Sequence, residues 1–194
     1  MKNILIPYFF CIILTIFIVV ILLTQNYAIT IDKNILGNKV YINNEYIWPV
    51  IGYNRISSYF GKRNAPTKGA STYHSGIDIA APTGSNLVSI FDGKIIYVGF
   101  NGAGGYTIIV QKDNMKVNYC HVHNDYLPKI NSIVKKGEII GKVGPKNVYD
   151  VPNNPYKDSN GNPTNGATTG PHLHFSIKID NEYINPLNII AVSK

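Results

Sequence analysis

The chain has 194 residues, 18 Lys and Arg against 11 Asp and Glu for a formal charge of +7, and only 15% charged residues in all. An apolar, turn-rich composition with 17 Gly, 11 Pro and 14 Tyr excludes a disordered chain, and two cysteines exclude a disulfide-stapled scaffold. No basic stripe is interleaved with aromatics, so the positive balance does not indicate nucleic acid; it suits an anionic polymer such as a bacterial wall and, on charge alone, equally a merely solvated basic surface.

Ile4 to Leu23 is an almost unbroken apolar run. At about 1.5 Å per residue it covers roughly 30 Å, the hydrocarbon thickness of a bilayer. The run exceeds the roughly 7–15 residues of a signal-peptide core, and Leu23 to Ala28 offers no A-x-A cleavage site. The expectation is a single uncleaved transmembrane helix within residues 1–25, with the remainder outside the cytoplasm. Cleavage would instead secrete that remainder. Cys11 lies in the run and Cys120 beyond it, so the bilayer keeps them from pairing.

Residues 26–47 read as a polar stalk, and 48–190 as one domain of ordinary size. From Trp48-Pro49 onward, short β-branched or aromatic runs alternate with turn signals. Asn86–Ile90, Lys94–Val98, Tyr106–Gln111, Lys116–His121 and His172–Ile179 are expected strands. Asp92-Gly93 and Asp113-Asn114 are expected to join neighbouring strands as hairpin turns. No long 3.6-residue period follows the N-terminal run, so the fold class is all-β with antiparallel sheets. Gly144 to Gly170 is a long loop rich in Pro, Asn, Asp and Gly that leads into a histidine cluster, the expected wall of a cleft. Within it, Asx turns explain Asp158-Ser159-Asn160-Gly161-Asn162 better than a calcium loop.

All five histidines fall in three short clusters: His74 with Asp78, His121 with His123, and His172 with His174. On a strand, His172 and His174 project from one face while Leu173 and Phe175 take the other. His74 and Asp78, four apart, also share a face on an extended segment. Each motif alone is weak, since a lone His-x-His is more often ordinary surface or core. Jointly they supply three ligands for a tetrahedral metal with one position open to water, and two further histidines beside it. Regular alternation would place Tyr119, His121 and His123 on one face and turn Cys120 away, as a packed thiol.

The chain resembles the M23 (lysostaphin/LytM-type) zinc peptidases, which cut peptide cross-links of bacterial peptidoglycan. The resemblance is carried by Ser57-Ser58-Tyr59-Phe60-Gly61-Lys62-Arg63, His74-Ser75-Gly76-Ile77-Asp78, Tyr119-Cys120-His121 and Thr169-Gly170-Pro171-His172-Leu173-His174-Phe175. It extends to Asn185-Pro186-Leu187 and covers nearly all of residues 48–188. It implies antiparallel sheets forming a groove, one Zn2+ per chain held by His74, Asp78 and His174, and His121 and His172 as the catalytic pair. Which of that pair is the general base stays open, as does the cross-link cut. The implied partner is peptidoglycan stems or bridges, with the membrane reached through the N-terminal helix. The rival reading is a non-catalytic scaffold or hydrolase activator in a cell-wall or sporulation complex; five intact positions favour the enzyme. His123 lies outside the motif and takes no assigned role.

Overall fold

Strands arise where branched and aromatic residues alternate with small or polar ones, because a pleated chain sends successive side chains to opposite faces. A computed structural model of the chain describes residues 46–192. The expected transmembrane helix, and all but the end of the stalk, lie outside the described residues. Among the described residues no helix is long and apolar enough to cross a membrane.

In chain order the strands are β1 (Ile56–Ser58), β2 (Gly61–Lys62), β3 (Tyr73–His74), β4 (Ile77–Ala80), β5 (Asn86–Val88) and β6 (Gly93–Phe100). They continue with β7 (Tyr106–Lys112), β8 (Met115–Cys120), β9 (Ile133–Val134), β10 (Ile139–Lys142), β11 (His172–Ile179) and β12 (Glu182–Ile184). The main sheet runs β1-β4-β11-β8-β7-β6-β9, with β12 also paired to β11; β5 with β10 and β2 with β3 form two small sheets. Every pairing is antiparallel. The all-β expectation holds.

One face of the main sheet is core. Ile77, Ile79, Leu173, Phe175, Ile177, Val117, Tyr119, Ile108, Val110 and Ile95 are buried there, in one cluster with Leu87 and Ile140 of the small β5–β10 sheet and with Trp48 and Phe91. Tyr119 meets Phe175 edge-on at 5.3 Å and accepts a hydrogen bond from Ile90 N at 3.1 Å. Without that hydroxyl a buried N–H would be orphaned, at about 1–3 kcal/mol. The other face of the sheet carries the polar alternates of β4, β8 and β11, and the histidines belong to it.

Asp113-Asn114 closes the β7–β8 hairpin, with Asp113 at φ 51°. Asp92-Gly93 does not act as a hairpin: β5 pairs with β10, whereas β6 pairs with β7 and β9. Asp92 instead accepts from Lys136 N at 2.8 Å and pairs with Lys135 Nζ at 3.1 Å. The local turn signal was genuine, but the strand before it buries Leu87 and Val88 in a different sheet, and tertiary burial overrides it.

Candidate metal centre and groove

The central strands deliver the polar residues in register. His174 on β11 lies opposite Asp78 on β4, and His172 opposite Ala80. His74 arrives from β3 through the Ser75-Gly76 turn. Gly76 is required there, because a Cβ would strike the Phe175 carbonyl. The outcome is a tight triangle: His74 Nε2 to Asp78 Oδ1 is 3.0 Å, His174 Nδ1 to Asp78 Oδ1 is 2.9 Å, and His74 Nε2 to His174 Nδ1 is 2.8 Å.

The chemistry of this donor set fits a cation. His74 Nδ1 lies 2.8 Å from the Tyr59 carbonyl, which only accepts, so Nδ1 carries the proton and neutral His74 presents a bare lone pair at Nε2. That lone pair faces a carboxylate oxygen and another imidazole nitrogen. One proton cannot bridge all three edges, but a shared metal ion can. Ligand atoms around tetrahedral zinc stand roughly 3.3–3.5 Å apart, so the triangle needs to open only slightly. His74, Asp78 and His174 form a group able to hold a metal ion among the described residues.

A supporting set fixes these groups. Arg63 Nη1 donates to Asp78 Oδ2 at 3.0 Å and to Ser58 Oγ at 2.6 Å, leaving Oδ1 for the triangle. Burial opposes ionisation of Asp78, yet the adjoining His174 and His74 rings, with the charge of His172, hold its carboxyl far below the usual range. Burial lowers the pKa of His174, with Asp78 opposing.

His121 and His172 flank the triangle, their rings 4.7 Å apart, with His172 Nε2 3.6 Å from Asp78 Oδ1. His121 Nδ1 donates to the Asn165 carbonyl at 2.7 Å and His172 Nδ1 to the Gly170 carbonyl at 2.8 Å. Both imidazoles therefore have Nε2 free. Burial holds His121 well below the usual histidine pKa, and charge on His172 and His174 pushes the same way.

The regular alternation expected through Tyr119–His123 fails at His121, which adopts left-handed backbone at φ 60°. β8 ends at Cys120, and Tyr119 alone goes to the core. Cys120 pairs with His174 across the strands and lines the groove beside His121, rather than pointing away from it. It is nevertheless inert: burial pushes its thiol up to about 12, with a Thr107 hydrogen bond opposing and the Asp78 charge adding. His123 sits outside the cluster, its Nδ1 accepting from Asp125 N at 3.2 Å and its ring against Tyr126.

The residues that hold His121 were not found from the sequence. Asn165 is fully buried; its Oδ1 accepts from Tyr106 N at 2.7 Å and its Nδ2 donates to Val122 O at 3.0 Å. A Cβ on Gly105 would strike Asn165, and one on Gly166 would strike Gly105 and Ala103. The 144–170 loop is thus pressed against the β7–β8 end of the sheet, and its last residues wall the cleft as expected. Asp158 spends its carboxylate on Asn160 N and Asn162 N, both at 3.0 Å, and on Lys146. No residue-type signal announces a backbone carbonyl as an orienting group.

Two clefts meet over the histidines. One, about 440 Å³, is lined by Arg55, Ser57, Asn64, Thr169 and His172; the other, about 340 Å³, by Tyr73, Asn118, Ser176, Lys178 and Tyr183. Arg63, His121, Ala167 and His174 line both, which makes one continuous groove with the triangle at its middle.

Residues 72–186 match the model of Peptidase family M23. The chain belongs to this family. Over 158 residues it is 31% identical to the DD-carboxypeptidase/endopeptidase Mpg of Neisseria meningitidis serogroup B, a match covering 81% of this chain and 31% of that one. A zinc containing peptidase from Vibrio cholerae has the same fold at TM-score 0.56 and 30% identity, covering 73% of this chain and 39% of the other. The catalytic domain of lysostaphin from Staphylococcus simulans matches at TM-score 0.52 and 24% identity, over 70% and 90% of the two chains; that likeness concerns the fold alone. The M23 chain described here spans about a third of the length of the curated relatives it matches.

Proposed function

We propose that the chain is a zinc-dependent endopeptidase that hydrolyses peptide cross-links of bacterial peptidoglycan, held in the membrane by residues 1–25 with its groove outside the cytoplasm. The observation that carries this is the convergence, mid-groove, of three candidate ligand atoms with two histidines whose Nε2 atoms are free. His74, Asp78 and His174 are the proposed zinc ligands. The M23 membership and the names of the relatives support the substrate class.

Zinc bound there would supply the Lewis acidity that makes water nucleophilic near neutral pH and polarises the scissile carbonyl. The chain's own groups do the rest. Arg63 neutralises the outer oxygen of Asp78 and fixes the carboxylate's orientation. Either His121 or His172 takes the attacking water's proton at Nε2. The other serves the developing oxyanion only once protonated, because its Nδ1 hydrogen is committed to a carbonyl. The groove, open on both sides of the triangle, admits an extended peptide running past the bond to be cut.

The test is digestion of purified peptidoglycans with different cross-links by the full-length chain, with and without a zinc chelator, new amino termini being identified by mass spectrometry. Release of one peptide end, abolished by chelator and restored by zinc, is expected. No release from any wall by zinc-loaded protein would overturn the enzyme in favour of a scaffold or activator. Alkaline extraction of cell membranes should leave the chain in the pellet; a soluble, N-terminally trimmed product would overturn the anchor.

A further inference from the structure

The cations of the groove are unequally matched. Arg63 is committed to Asp78 and Ser58. Arg55 lines the same cleft, near Tyr53, Ala80 and Pro171, and among the described residues its guanidinium has neither an acidic partner nor a hydrogen bond. Asp78 is the one acidic residue lining that cleft, and it is already paired.

A solvated surface arginine would also lack partners, so exposure alone says little. Position is what distinguishes Arg55. Its carbonyl accepts from Ala80 N at 2.9 Å, and Ala80 lies opposite His172. Arg55, Ala80 and His172 therefore form one row across the sheet, with about two strand spacings, ~10 Å, between the outer backbones. Both side chains line the same cleft, and an extended arginine leaning along the row covers more than half that distance, so its fork can come within about one residue of a bond attacked beside His172. A planar guanidinium there is suited to a carboxylate, which it grips through two parallel hydrogen bonds.

We propose that Arg55 is a specificity-determining residue that takes the terminal α-carboxylate of a peptide whose last amide bond lies over the histidines. This rests on the proposed hydrolase. With such a substrate, water's oxygen bonds to the scissile carbonyl carbon, the C–N bond breaks, and the leaving nitrogen takes a proton. The terminal residue departs as a free amino acid still held by Arg55. The groove then trims chain ends as well as cutting bridges, the two activities that the name of the Neisseria relative carries.

The test uses two synthetic stem pentapeptides, identical except that the terminal D-alanine is a free acid in one and an amide in the other. Zinc-loaded full-length chain should favour the acid by about 10- to 100-fold in kcat/KM, the range expected for a hydrogen-bonded charge. In Arg55→Gln the preference should fall to near parity, and Arg55→Lys should keep part of it. Calorimetry with His121→Ala protein, compared with the His121→Ala, Arg55→Gln double variant, reads the same preference as affinity without any cutting. A preference that survives Arg55→Gln, or no preference in the unaltered chain, overturns the proposal. If neither peptide nor any wall is cut, the hydrolase reading fails, and the calorimetric comparison still decides whether Arg55 binds the carboxylate. Failure of both peptides to bind overturns Arg55's role.

Discussion

His121→Ala protein should bind zinc at the unaltered stoichiometry and lose about 10²–10³ in turnover, whereas His174→Ala protein should lose the metal itself. The two histidines stand on the same side of the sheet, but their nitrogens do different things. His174 Nδ1 is within 3 Å of both other corners of the triangle. His121 is turned to the Asn165 carbonyl at Nδ1, its ring centre 6.3 Å from that of His174. Removing His121 leaves all three candidate ligands in place and takes away one proton acceptor or oxyanion partner. Removing His174 deletes a corner, which should weaken zinc binding by more than the roughly 10- to 100-fold typical of losing an outer partner. Metal analysis after gel filtration, beside steady-state turnover on a cross-linked muropeptide, separates the two. Equal zinc loss in both variants would sink the division of roles.

Asn165→Ala should cost both stability and turnover while sparing zinc. The buried amide satisfies the Tyr106 N–H and the Val122 carbonyl. Orphaning both costs about 2–5 kcal/mol, a fall in Tm on the order of 10 °C for a domain of this size. The same residue's carbonyl fixes the His121 tautomer, and His121 sits in left-handed backbone at a local cost of about 1–3 kcal/mol that surrounding contacts must sustain. Loosening the amide frees the carbonyl, and a misplacement near 1 Å can cost about 10² in rate. Well below the new Tm, kcat should drop with KM little changed. An unchanged kcat there would show that the 144–170 loop does not orient His121.

Much of the fold was legible because its signals are local. Leu173, Phe175 and Ile177 against His172, His174 and Ser176 is a period-2 pattern that a strand must display, and β11 shows it. Asp113-Asn114 announced its hairpin for the same reason. Asp92-Gly93 misled because a turn signal does not name the strand's partner. The alternation drawn through Tyr119–His123 failed because it assumes uniform backbone, and His121 departs from it at the very residue that matters.

Residue types and their spacing pointed, without a structure, to an antiparallel β class and to three histidine clusters, since donor atoms and strand periodicity belong to the residues themselves; the resemblance to the M23 peptidases marked which five side chains carry candidate chemistry. Tertiary structure alone decided that Oδ1 of Asp78 faces the triangle while Oδ2 faces Arg63, and that Nε2 is the free nitrogen of His121 and His172. It also decided that Asn165, 44 positions from His121, holds it in place. Those choices are made by backbone carbonyls and close approaches between distant segments, which no local pattern of side chains encodes.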